Sequence, residues 1–133
     1  MFKIKHLFYC LIFFFAASNV FGQNGAALNN IQEAIKIGSS RELAKYLSNN
    51  VEINFDNESS VYSQNQAEFV LKEFFMKYPP KDFQVSHQGS SSKGQLRYAI
   101  GKYICDDTSF VVLIRMKNIE GEYIVINLTF NKE

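Results

Sequence analysis

The chain has no tryptophan, two prolines, two histidines and two cysteines, and no excess of either charge. Each shortage excludes something. Cys10 lies in an apolar N-terminal run and Cys105 far downstream, so no disulfide framework can staple the domain, which must hold by packing. A single downstream histidine, His87, and Cys105 18 residues later make no metal-ligand spacing, so neither a metal nor another cofactor is expected. Against 14 Lys and Arg stand 13 Asp and Glu, which gives no electrostatic footprint for a nucleic-acid backbone. The apolar run Leu7–Ala17 falls short of the roughly 20 residues that a membrane-spanning helix needs.

What is present begins with the pattern of an export signal. Lys3 and Lys5 precede that apolar run, and small residues follow it. Cleavage fits after Gly22, with Val20 two positions before, or after Ser18, with Ala16. Residues 1–22 therefore read as a signal peptide and residues 23–133 as one domain. Bulky Leu7, Phe8 and Tyr9 before Cys10 exclude a lipid-attachment site. Discounting the leader leaves 12 basic residues against 13 acids, a formal charge of −1, and removes six phenylalanines. Export without disulfides fits a bacterial periplasm or cell surface, or release outside the cell. No stable membrane span is expected after cleavage.

Apolar spacing organises the remainder. Leu28, Ile31, Ala34 and Ile35 recur at helical intervals up to Gly38, and Ser39 or Ser40 can cap a short helix bearing Leu43, Ala44 and Leu47. Val51, Ile53 and Phe55 alternate as a strand, Asp56–Ser60 reads as a turn, and Val61-Tyr62 returns. Ser63 can cap a long helix with the stripe Ala67, Val70, Leu71, Phe74, Phe75 and Tyr78, ended by Pro79-Pro80. Four strands follow. Phe83, Val85 and His87 alternate in the first, and a serine- and glycine-rich turn leads into Gln95–Cys105, where Gly101 reads as a bulge. Phe110–Lys117 and Tyr123–Phe130 complete the set. The fold class is α+β, with N-terminal helices and one long helix packed in a strongly bent, mostly antiparallel sheet.

The order of elements, the helix FVLKEFFMKYP (Phe69–Pro79) and the segment DFQVSHQGSSSKGQLRYAIGKY (Asp82–Tyr103) resemble the nuclear-transport-factor-2-like, or cystatin-like cone, superfamily. That is the cone-shaped fold shared with ketosteroid isomerases. The chain is also similar to a bacterial family of short exported proteins known as a domain of unknown function. The resemblance implies a pocket between the long helix and the concave face, and pairing of subunits sheet to sheet. Isomerases and dehydratases of the fold hold an Asp, or a His with Asp, inside the cone. Here Asp56, Asp82, Asp106 and Asp107 fall in turns or at strand ends, which leaves proton-transfer catalysis without an interior acid.

Strand parity sorts the side chains between faces. The concave face is expected to hold Val51, Ile53, Phe55, Phe83, Val85, Leu96, Tyr98, Ile100, Val112, Ile114, Met116, Ile124, Ile126, Leu128 and Phe130. Tyr62, Phe74, Phe75, Tyr78, His87 and Tyr98 would line its pocket. His87 could serve as general base, with Tyr98 or Tyr103 holding an oxyanion. The opposite face is expected to carry Arg97, Ala99 and Arg115 together with Val111, Leu113, Tyr123 and Val125. Four large side chains there could expose on the order of several hundred Å² of apolar surface, enough to ask for a homodimer across this outer face. The leading expectation is an exported, non-catalytic binding or interaction module holding a small apolar ligand or a protein partner. The alternative is a small cofactor-free isomerase or lyase using His87 with a tyrosine.

Overall fold

Helix α1 (Ala26–Ile37) buries Leu28, Ile31, Ala34 and Ile35, one stripe at the expected spacing. The structure is a computed structural model and describes residues 26–133. The expected signal peptide and its two expected cleavage points lie outside the described residues. Gly38 ends α1 in the left-handed region at φ +70°, with the Pro80 ring 3.1 Å from where a β-carbon would sit. Ser39 caps α2 (Ser40–Ala44), its Oγ accepting the Glu42 N–H at 3.1 Å. Ser63 caps α3 (Gln64–Lys77), and Gln66 answers through the Ser63 N–H, closing a capping box.

Six strands form one sheet: β1 (Leu47–Phe55), β2 (Glu58–Ser63), β3 (Asp82–Ser90), β4 (Leu96–Ile104), β5 (Ser109–Ile119) and β6 (Glu122–Lys132). Their order is β2-β1-β6-β5-β4-β3, with β1 and β6 parallel and every other pair antiparallel. Parallel pairing lets the first and last strands meet. Asp56 secures that junction, donating its N–H to the Phe130 carbonyl at 3.0 Å and accepting the Lys132 N–H on Oδ1 at 2.6 Å. The β1–β2 turn needs two residues, Asp56 and Asn57, both at positive φ, so β2 starts earlier than the polar run Asp56–Ser60 suggests. The three helices pack on one face of the bent sheet, and an α+β cone of this kind is what the element order called for.

The bends are made by bulges, and their positions correct the expected faces. Register shifts at Ser86, between Val85 and His87, and at Ile126, where Arg115 pairs Asn127 but Met116 pairs Val125. Strand β4 runs against β5 without a break, so Gly101 is no bulge. Its missing side chain instead admits the Phe83 ring, whose Cε1 would lie 2.6 Å from an added β-carbon. Each extra residue reverses which side chains point inward beyond it.

Four corrections follow. Beyond Ser86, His87 pairs with Ile100 and stands exposed on the outer face. Leu96, Tyr98 and Ile100 also turn outward, at 50% and 43% exposure for the first two, while Arg97 and Ala99 turn inward. Val125 is fully buried on the inner face opposite Met116, and Tyr123 follows it inward. Ile124, opposite Lys117, and the bulged Ile126 take their places outside. The remaining inner-face assignments hold: Val51, Ile53, Phe83, Val112, Ile114, Met116, Leu128 and Phe130 are buried core, with Phe55 and Val85 packed against it.

Candidate functional site

The inside of the cone is filled with rings. Phe74, at the inner edge of α3, stacks on Phe55 at 5.1 Å and meets Phe130 at 4.5 Å, Phe110 at 5.2 Å and Tyr78 at 5.3 Å between centroids. Phe75 and Tyr103 close the cluster. Tyr103 is completely buried, and its hydroxyl donates to the Tyr78 carbonyl left open as α3 ends. Burial pushes its phenol well above the ordinary tyrosine range, so it stays a neutral hydrogen-bond donor. Burial likewise raises the Cys105 thiol, which keeps it a packing group. Among the described residues no charged or polar side chain is buried in the core. Lining the mouth of the cone are Phe55, Asp56, Phe74, Lys77, Tyr78 and Phe110, around a shallow hollow of about 350 Å³.

The structure therefore separates the expected catalytic group. Tyr103 lies inside, whereas His87 and Tyr98 stand outside. His87 Nδ1 meets Ser86 Oγ at 3.0 Å, and that hydroxyl also reaches the Ile100 carbonyl at 3.2 Å, which ties the histidine to the bulge. His87 and Tyr98 do share the outer face, but both open to solvent, where protons exchange with water rather than with an enclosed substrate. Of the expected pocket residues, Phe74, Phe75 and Tyr78 come together as the plug. Tyr62 lines a separate surface hollow with Phe69 and Val70. Among the described residues no cluster of His, Cys, Asp or Glu can hold a metal.

The outer face is organised differently. Register places Glu52 on β1 beside Asn127 on β6, Asn127 beside Arg115 on β5, Arg115 beside Tyr98 on β4, and Tyr98 beside Gly89 on β3. Glu52, Asn127, Arg115 and Tyr98 of this row line a groove of about 530 Å³ together with Arg97, Ser90 and Ser91, and Leu96, Met116 and Ile126 add apolar surface. Gly89 makes room for the Tyr98 ring, which would press within 2.6 Å of an added β-carbon. Glu52 is held by the Ser59 hydroxyl at 2.8 Å, and Thr129 Oγ1 bonds Asn127 Oδ1 at 3.1 Å. Farther along the strands, exposed Ile104 and Val111 and half-buried Ile100 and Leu113 form a partly apolar patch beside the groove, around Lys102, which stands opposite Val111 and reaches Glu133 at 3.5 Å. Val111 and Leu113 thus stand on the outer face as expected, with Ile100 and Ile104 in place of Tyr123 and Val125. Tyr123 is held inside by Arg97 over its ring at 4.9 Å and by its own hydroxyl on the Gly94 carbonyl at 2.7 Å.

Comparison with known families matches residues 28–131 to the family described as Domain of unknown function (DUF4783). The chain belongs to this family. A DUF4783 protein from Bacteroides ovatus is 28% identical and superposes with a TM-score of 0.75, covering 78% of this chain and 93% of the relative. One from Bacteroides uniformis is 26% identical at a TM-score of 0.74, covering 79% and 95%. An NTF2-like protein of unknown function from Shewanella baltica is 13% identical at a TM-score of 0.66, covering 87% and 95%, and shares the fold. No curated protein matches the chain significantly. DUF4783 membership and the NTF2-like cone agree with the resemblance seen in the α3 helix and the β3–β4 segment.

Sequence reasoning missed Glu52, Arg115, Asn127 and Leu96 as a set because they come from four strands. Alternation could place Glu52 and Arg115 on the outer face. Joining them needed the parallel pairing of β1 with β6 and the bulge at Ile126.

Proposed function

We propose that this DUF4783 chain is an exported, non-catalytic binding module that works through the outer face of its sheet. The observation that carries the reading is the contrast between a cone filled around Phe74 and an outer face with a groove lined by both charged and apolar side chains and a partly apolar patch. The N-terminal basic and apolar pattern supports export. Among the described residues the rings around Phe74 fill the inside of the cone where an isomerase would enclose its substrate, and His87 stands away from Tyr103.

The patch of Ile100, Ile104, Val111 and Leu113 favours self-pairing as part of this function. A closed two-fold contact of like patches is the commonest way to cover such a surface. Light scattering on the protein purified from producing cells tests it. A dimer that Leu113→Lys converts to monomer is expected. A monomer at tens of micromolar (order of magnitude set by ordinary weak association), unchanged by Leu113→Lys, contradicts it.

A further inference from the structure

We infer that the outer-face groove recognises a zwitterion carrying an apolar side chain: an α-amino acid or the free ends of a short peptide. This rests on the outer face being the working surface. Three parts of the groove have complementary chemistry, and the strand register fixes their order. At one end Glu52 is exposed; Ser59 occupies its Oε1 at 2.8 Å, which leaves Oε2 as an anionic acceptor for an ammonium. Arg115, exposed and two strands away, closes no ion pair among the described residues. Its planar fork suits a carboxylate. Asn127 lies between them, and with its Oδ1 engaged by Thr129 it has an N–H donor left for the same carboxylate. Beyond Arg115, Tyr98 and Leu96 form an apolar wall beside Gly89, where a ligand side chain can rest.

The dimensions agree. Backbones two strands apart are separated by roughly 10 Å. One or two residues of extended chain span at most roughly 3.5–7 Å between their ends, and the Glu and Arg side chains cover the remainder. A groove of about 530 Å³ takes a ligand of that size. The groove carries opposite charges at two fixed points, Glu52 and Arg115. A purely apolar ligand would leave both desolvated and unpaired.

Isothermal titration calorimetry on the purified protein tests this with L-leucyl-L-leucine, L-leucine and N-acetyl-L-leucine amide as probes. The expected result is binding of a zwitterion with a dissociation constant below about 1 mM, and no heat from the blocked amide. Arg115→Gln and Glu52→Gln should each weaken that binding by about tenfold or more, as loss of a charge-assisted contact does. Leucine binding as well as the dipeptide identifies the free amino acid; dipeptide binding alone identifies a peptide. The inference is overturned if neither zwitterion binds, if the blocked amide binds as tightly, or if both variants retain full affinity. The blocked-probe comparison needs no variant, so it stands even where a variant misfolds. Light scattering on the same samples separates the two claims: no binding by an intact dimer overturns this inference alone, and binding by a monomer overturns the pairing alone.

Discussion

The two faces of one sheet are built from the same strands and put to opposite uses. Inside, every ring around Phe74 is packed, and Tyr103, one of the tyrosines expected to hold an oxyanion, donates its hydroxyl to the open carbonyl of Tyr78. Outside, Tyr98 lies over Gly89 and stays 43% exposed, in a row with two unlike charges. The same residue type supports the fold on one side and is offered to a ligand on the other. Which role a tyrosine takes is decided by strand phase: Tyr98 and Tyr103 lie an odd number of residues apart on the unbroken β4, so their side chains leave opposite faces.

Truncation should expose the contrast most strongly. Phe74→Ala removes the ring at the centre of the cluster and is expected to cost about 3–5 kcal/mol in denaturant unfolding. Tyr98→Ala on the outer face should cost less than about 1 kcal/mol. Equal losses would show that the outer face also serves as core. A smaller effect separates the two glycines that admit rings. Gly101→Ala meets the buried Phe83 ring and the Gln84 carbonyl, with 2.8 Å to the latter, and should cost about 1–3 kcal/mol. Gly89→Ala meets only the exposed Tyr98 ring, which can swing into solvent, so its cost should be the smaller in the same thermal or denaturant scan.

Much of the fold was legible in the sequence because local chemistry declares it. Ser39 and Ser63 cap where serine should, the α3 stripe buries Ala67, Leu71, Phe74 and Phe75, and Val112 and Ile114 lie inward as alternation requires. The helix pattern and the β3–β4 segment also pointed to the family. The site was not legible, for a physical reason. A bulge at a serine or an isoleucine needs no special backbone sign, so nothing in the composition announces it. Gly101, which looked like the bulge, is a glycine for the sake of Phe83. One misplaced bulge carried Leu96, Tyr98 and Ile100 inward, and two unseen ones misplaced His87, Tyr123 and Val125. The groove itself depends on parallel pairing between the first and last strands, a contact across the whole domain that no local pattern encodes.

Mapping which side of the sheet answers a ligand tests the central claim most directly. In ¹⁵N-edited NMR spectra of the protein titrated with L-leucyl-L-leucine, we expect the largest shifts at Glu52, Tyr98, Arg115 and Asn127, with Phe74, Tyr103 and Phe110 unmoved. Shifts concentrated on Phe74, Tyr103 and Phe110, with the outer row silent, would place binding inside the cone and contradict this account.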